Sequence, residues 1–201
     1  MRAVAAFFAF LCSASLTFGA EAVTMRHPGF DHAVFAFGGR EAESDILAMA
    51  NPFNVEYGDN FSVGIGYQRF VQGLVRDLYF GFEAGIAARF GNSLSAEAWG
   101  GPVVRYDGIR LFNAVTLSPS VTVGLSAVTN ALEGWEGDNE DERDGDATLL
   151  FYFGPELSLS LASRPDVEIF WRLHHRSGAW GTLGDMHGGA NFQTLGIRRR
   201  F

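Results

Sequence analysis

Apolar residues in this chain come in alternation, and that pattern restricts the fold more than any other feature. In the run 147–161, Leu149, Phe151, Phe153, Leu157, Leu159 and Leu161 stand at odd positions. Tyr152, Gly154, Glu156, Ser158 and Ser160 stand between them. A period of two is the signature of a strand whose faces meet different surroundings. An earlier run repeats it: Leu78, Phe80, Phe82, Ala84 and Ile86 alternate with Tyr79, Gly81, Glu83, Gly85 and Ala87. Eight candidate strands follow, at roughly 31–39, 61–71, 77–90, 94–106, 110–127, 147–161, 166–177 and 190–201.

The alternation matters because the chain reads as exported. Met1 to Cys12 has one positive charge and then an apolar core, and Ala20-Glu-Ala22 fits a small-residue cleavage site. Residues 1–22 are therefore expected to be a signal peptide and 23–201 one domain. Cys12 falls in the leader, and Leu11 is too bulky to precede a lipidated cysteine. The leader's apolar run is too short for a membrane span, and no later segment supplies the roughly 20 continuous apolar residues a spanning helix needs. Yet 47% of the chain is hydrophobic. Such a chain is either a secreted soluble β-protein or a barrel that hides its hydrophobicity in alternation. The net charge of -8, with Arg as the sole basic residue type, argues against a nucleic-acid partner.

The connections favour the barrel. Segments 71–77, 107–108 and 163–166 are short turns with Gly, Asp or Pro. Segments near 40–60, 128–147 and 178–190 are longer. Short periplasmic turns and long external loops are the asymmetry of outer-membrane barrels. Phe201, with Ile197 and Leu195 behind it at period two, is similar to their terminal strand, and Arg199 can reach headgroups at the membrane edge. The expected fold is all-β: an eight-stranded antiparallel transmembrane β-barrel of the outer membrane, with both termini periplasmic. Glu133 to Asp146 is strongly acidic. It matches no ordered calcium loop and reads as a solvated surface loop.

The last hairpin carries the chemistry. On 166–177, Val167, Ile169, Trp171, Leu173, His175 and Ser177 share one face; Glu168, Phe170, Arg172, His174 and Arg176 share the other. An imidazole and a hydroxyl thus continue the apolar, lipid-facing side. If Pro165 and Phe201 mark one end, paired residue numbers sum to about 366, which sets His175 opposite Asn191. Ser177, His175 and Asn191 then form a cluster with serine-hydrolase chemistry: nucleophile, base and orienter. Asp185, from the adjoining loop, is the alternative orienter. His174 is expected in the lumen, bonded to Glu156 or Glu168, with Arg172 and Arg176 paired to lumen carboxylates. Trp135, Trp171 and Trp180 read as aromatic-belt or loop residues.

His175-Arg-Ser177, then Gly189-Ala-Asn-Phe-Gln-Thr-Leu-Gly196 and a terminal aromatic, resembles the lipid A 3-O-deacylases of the PagL type. The detailed match covers roughly the last 35 residues. The resemblance implies an eight-stranded outer-membrane barrel that hydrolyses the ester-linked acyl chain at the 3-position of lipid A. It implies Ser177 as nucleophile and His175 as base, on the surface facing the membrane. Two positions depart from the family: Gly178 stands where Asn is usual, and Asn191 where the triad carboxylate falls. His187 lies near a family loop residue linked to oxyanion stabilisation, and the amides of Gly178, Gly188 and Gly189 are further candidates. The expected activity is a carboxylic ester hydrolase without cofactor or metal, acting on lipopolysaccharide; a homodimer stays open. The rivals are an inactive homologue, a non-enzymatic structural or adhesion barrel displaying the acidic loop, and an acyltransferase with an acyl channel through the lumen.

Overall fold

Alternating runs become a two-faced wall in the computed structural model, which describes residues 30–44, 48–50 and 55–201. The expected leader 1–22, with Cys12, lies outside the described residues. The strands are β1 (His32–Ala42), β2 (Tyr57–Val75), β3 (Leu78–Phe90), β4 (Leu94–Tyr106), β5 (Ile109–Leu111), β6 (Val115–Val128), β7 (Leu149–Leu161), β8 (Arg164–Ser177) and β9 (Asn191–Arg200). All pairings are antiparallel. β1 pairs with β9 and β4 with β6, so the eight long strands close into a barrel, and among the described strands the three-residue β5 alone pairs on one side only. His32 and Phe201 exchange backbone hydrogen bonds of 3.0 and 2.9 Å, which sets both ends of the described chain at one rim.

One expected strand is split. The segment 110–127 breaks into β5 and β6 around a turn closed by the Ala114 N–H donating to Leu111 O at 3.1 Å. Phe112 and Asn113 are both left-handed there, with φ of 52° and 56°. Such a turn matches strand twist, so the chain folds into a small hairpin before β6 meets β4. The other turns at this rim are short. The opposite rim carries the long segments 129–148 and 178–190, one short connection at 91–93, and the described ends of the β1–β2 connection.

Outward residues form an apolar belt: Ile65, Ile86, Ile169 and Ile197 are 59–63% exposed. The lumen is filled, by aromatic rings and by charges that span it. The Arg172 guanidinium donates to both Glu83 carboxylate oxygens at 2.8 Å and to Glu156 at 2.9 Å. Arg198 bridges Glu156 (2.6 and 2.7 Å) and Glu168 (3.0 Å). Both guanidinium groups also lie over phenylalanine faces, Arg172 4.7 Å from the Phe35 centroid and Arg198 4.8 Å from that of Phe170. A buried charge is tolerated only when paired and hydrogen-bonded. In a tube this narrow the partners come from distant strands.

His174 is in the lumen, but with other partners than expected: its ring nitrogens lie 2.8 Å from Glu97 and 3.2 Å from the Tyr152 hydroxyl. Glu156 and Glu168 are held lower in the barrel by Arg172, Arg198 and Arg105. Arg172 and Arg176 do pair with buried carboxylates.

The acidic segment is the larger correction. It is not simply solvated, because it contains a helix, α1 (Trp135–Asp141). Glu136 and Asp138 sit in its first turn, where carboxylates complement the helix dipole. Glu136 is fully buried and accepts hydrogen bonds from Arg89 and Arg176 at the mouth of the barrel. Two lumen arginines need a counter-charge at that height, and the loop supplies it.

Candidate active site

β8 and β9 pair in the register whose numbers sum to 366, with Val167 opposite Arg199 and His175 opposite Asn191. His175 therefore stands beside Asn191 on the outer wall, with Phe153 on its other flank. Ser177 follows two residues on, beside Phe151. Same-face residues on one strand stand about 6.6 Å apart, a gap comparable to the reach of an imidazole.

Asn191 Oδ1 is hydrogen-bonded to His175 Nδ1. The other end of the amide fixes the direction of that bond. Asn191 Nδ2 donates to the Ser44 carbonyl at 2.9 Å, and a carbonyl can only accept. Hence Oδ1, not Nδ2, faces the ring, and Nδ1 carries the proton. In the neutral ring the Nε2 lone pair is then free to accept a proton. A side-chain amide thus fixes the imidazole tautomer, a task that a carboxylate performs in serine proteases.

Ser44 belongs to a strap that sequence reasoning missed. Its described parts, residues 42–44 and 48–50, lie against the outer face of β8 and β9. Gln193 donates to Met49 O at 2.7 Å and accepts from the Trp171 indole at 2.6 Å. Ala42, Met49 and Leu173 pack into a cluster flanked by Val55. Leu173, read as lipid-facing, is therefore only 3% exposed. A backbone carbonyl carries no side-chain signature, so Ser44 left none in the sequence. The Gln193 and Trp171 pair was accessible from the hairpin register, as near neighbours on one face.

Ser177 is not hydrogen-bonded to His175 among the described residues. Its Oγ accepts instead from the Ala179 N–H at 3.1 Å. Such bonds are often loose in a free enzyme and tighten with substrate. The backbone turns sharply after Ser177: Ala179, Trp180 and Asp185 have φ of 50°, 59° and 51°, rare values for residues other than glycine. Strained backbone of this kind concentrates at functional sites.

The other candidates fall out as follows. Asp185 is exposed and no hydrogen bond joins it to His175, whose Nδ1 is already taken by Asn191. The Gly178 N–H donates to Gly188 O at 3.2 Å and is therefore occupied. A Cβ at Gly178 would stand 2.1 Å from Met186 O. This explains glycine at a position where the resembling family has asparagine. His187 is exposed and lies over Gly181. Among the described residues the N–H groups of Gly188 and Gly189 have no hydrogen-bond acceptor. A Cβ at Gly189 would stand 2.0 Å from Arg176 O, so only glycine lets the chain at 189 come so close to the Ser177 strand. No described group of side chains has the makings of a metal site.

No family model matches the sequence, and no curated protein matches it. Solved structures do match the fold. The crystal structure of the outer membrane enzyme PagL is similar with a TM-score of 0.60, at 15% identity, over 84% of this chain and 99% of that one. The crystal structure of Neisserial surface protein A (NspA) is similar with a TM-score of 0.51, at 15% identity, over 85% of this chain and 96% of that one. At these identities the likeness extends to architecture alone. The chain is a closed eight-stranded antiparallel barrel of the kind that small outer-membrane proteins build.

Proposed function

We propose that this protein is an outer-membrane serine esterase that removes an ester-linked 3-hydroxyacyl chain from lipid A. The observation that carries the reading is the run Ser44 carbonyl, Asn191 amide, His175 ring, with Ser177 two residues further on the same outward face. A position on the lumen side would make these residues structural. An outward apolar wall is where an acylated glycolipid lies, with Phe151, Phe153 and Leu125 beside the site as contacts for its chains.

The chemistry follows from the tautomer. Nε2 of His175 takes the proton of the Ser177 hydroxyl as Oγ attacks the ester carbonyl carbon. The tetrahedral oxyanion is held by the Gly188 and Gly189 amides, donors fixed in advance by the backbone. The bond between the acyl carbon and the ester oxygen breaks, and that oxygen leaves with the sugar as a hydroxyl, carrying the proton from Nε2. Water, deprotonated by the same nitrogen, then attacks the acyl-enzyme and releases the fatty acid. The imidazolium formed in each half is steadied by Asn191 Oδ1. An amide carries no full charge, so slower turnover is expected than with a carboxylate.

Purified protein incubated with lipopolysaccharide in detergent should release free 3-hydroxy fatty acid, and Ser177→Ala should abolish it. Absence of release by the unaltered protein would sink the proposal. One observation favours a second reading, a barrel that has lost activity: the Ser177 oxygen is engaged by the Ala179 N–H rather than by His175. On that reading Ser177→Ala and His175→Ala leave every measurable function untouched.

A further inference from the structure

Arg176 lies between His175 and Ser177 in the chain, but its side chain points the other way, into the barrel mouth. There it is fully buried. Its Nε donates to Ser126 Oγ at 2.9 Å on β6, and its Nη2 to Ala147 O at 2.8 Å at the end of the acidic segment. Its Nη1 donates to Glu136 of α1. Glu136 in turn accepts from Arg89 on β3 and from the Leu132 N–H at 3.1 Å. One loop carboxylate thus ties the third strand to the strand end that carries both proposed catalytic side chains.

The same segment also grips the other half of the site. Asn139 of α1 lies against Gly188: a Cβ there would be 2.7 Å from its Oδ1. The Asp146 N–H donates to Gly184 O at 2.7 Å. Met186 packs with Ala147 and Leu150, flanked by Ala131 and Leu183. The segment therefore contacts the catalytic strand from inside and the loop bearing the candidate oxyanion amides from above.

We propose that the acidic segment 133–146 is a positioning plug for the esterase site, acting through Glu136 on Arg176 and through Asn139 on Gly188. Successive residues of a strand point to opposite faces. Fixing Arg176 on the lumen side therefore sets the height and tilt of His175 and Ser177 on the outer side. The catalytic arm of this inference rests on the esterase reading; its structural arm does not.

The test uses the full-length protein in detergent, as wild type, Glu136→Ala and the milder Glu136→Gln, which keeps the size and one acceptor. Barrel integrity is checked by heat-modifiable migration on gels. Hydrogen exchange is then read on peptides covering 174–180 and 187–192 and compared with peptides from β2 to β4. Selective loss of protection in the first group is expected for Ala, with a smaller loss for Gln. Steady-state ester cleavage should show kcat down about tenfold or more with KM within about twofold, since misplacing reacting groups by around 1 Å can cost on the order of a hundredfold. Unchanged exchange in both variants overturns the proposal, and so does loss spread evenly over the barrel, which would make Glu136 a stability residue. Local loosening with unchanged kcat overturns the positioning role as well. An inactive wild type overturns the esterase reading, and the exchange result still decides whether the plug holds the strand.

Discussion

Asn191→Ala is the most informative single change at the site. It removes the Oδ1 acceptor from His175 Nδ1 and the Nδ2 donor from Ser44 O, and leaves Ser177 and the candidate oxyanion amides in place. The lost bond is neutral when the ring is neutral and charge-assisted when the ring holds the proton. It therefore counts chiefly in the transition state. A hydrogen bond to a charged group contributes about 1.5–3 kcal/mol. At about 1.4 kcal/mol per decade of rate, kcat should fall roughly ten- to two-hundredfold with little change in KM. Asn191→Asp sharpens the test. A carboxylate supports the imidazolium better, but its second oxygen would meet the Ser44 carbonyl, acceptor against acceptor, where leaving polar groups unsatisfied costs about 1–3 kcal/mol. The two effects oppose each other at similar size, so Asp should not exceed wild type by more than about tenfold. The assay is initial-rate release of fatty acid from lipopolysaccharide micelles, on protein checked for the folded gel form. An Asn191→Ala enzyme with wild-type kcat would refute the tautomer argument. A large gain in Asn191→Asp would show that the Ser44 contact does not constrain the amide.

Two further outcomes are expected. Gly178→Asn restores the residue of the resembling family, yet should disrupt this protein, because the new Cβ would meet Met186 O and Leu183 O at 2.1 and 2.6 Å. Limited proteolysis should cut within 178–190 in the variant while the barrel stays intact, and an uncut, fully active variant would contradict the loop geometry. At the opposite rim, burial pushes the Asp107 carboxyl up, but Arg105 and Arg200 outweigh it and hold it below the usual carboxylate range. A depressed carboxyl stabilises the fold above its unfolded value of about 3.9 and loses that contribution as pH falls through its folded value. Thermal unfolding followed from pH 7 down to about pH 3 should show this acid loss in wild type, reduced in Asp107→Asn; identical acid profiles would refute it.

Much of this architecture was legible because period two is a strong code. Tyr79, Gly81, Glu83, Gly85 and Ala87 sit on one side of β3 whatever the rest of the chain does. The His175–Asn191 pairing was legible for the same reason, since a hairpin with one fixed end has one register. What escaped notice depends on groups without a local signature. The Ser44 carbonyl belongs to backbone far away in sequence. Glu136 looked like one acid among many, and its role follows from Arg89 and Arg176 needing a counter-charge at one level of a closed tube. The break in the fifth strand depends on left-handed geometry at Phe112, a residue type that rarely signals a turn.

The lumen wiring also bears on how the barrel can enter a bilayer. Taken alone, the β8–β9 hairpin turns Arg172, Arg176, Arg198 and Arg200 inward against one acid, Glu168. Its missing negative charges sit on β3, β7 and α1, as Glu83, Glu156 and Glu136. A hairpin inserted by itself would face hydrocarbon with three uncompensated cations, a heavy penalty in an apolar medium. Strand-by-strand insertion is thereby disfavoured. The sheet must curl so that early and late strands meet while the inner face is still wet, and it can cross the membrane only as a nearly complete, charge-balanced cylinder.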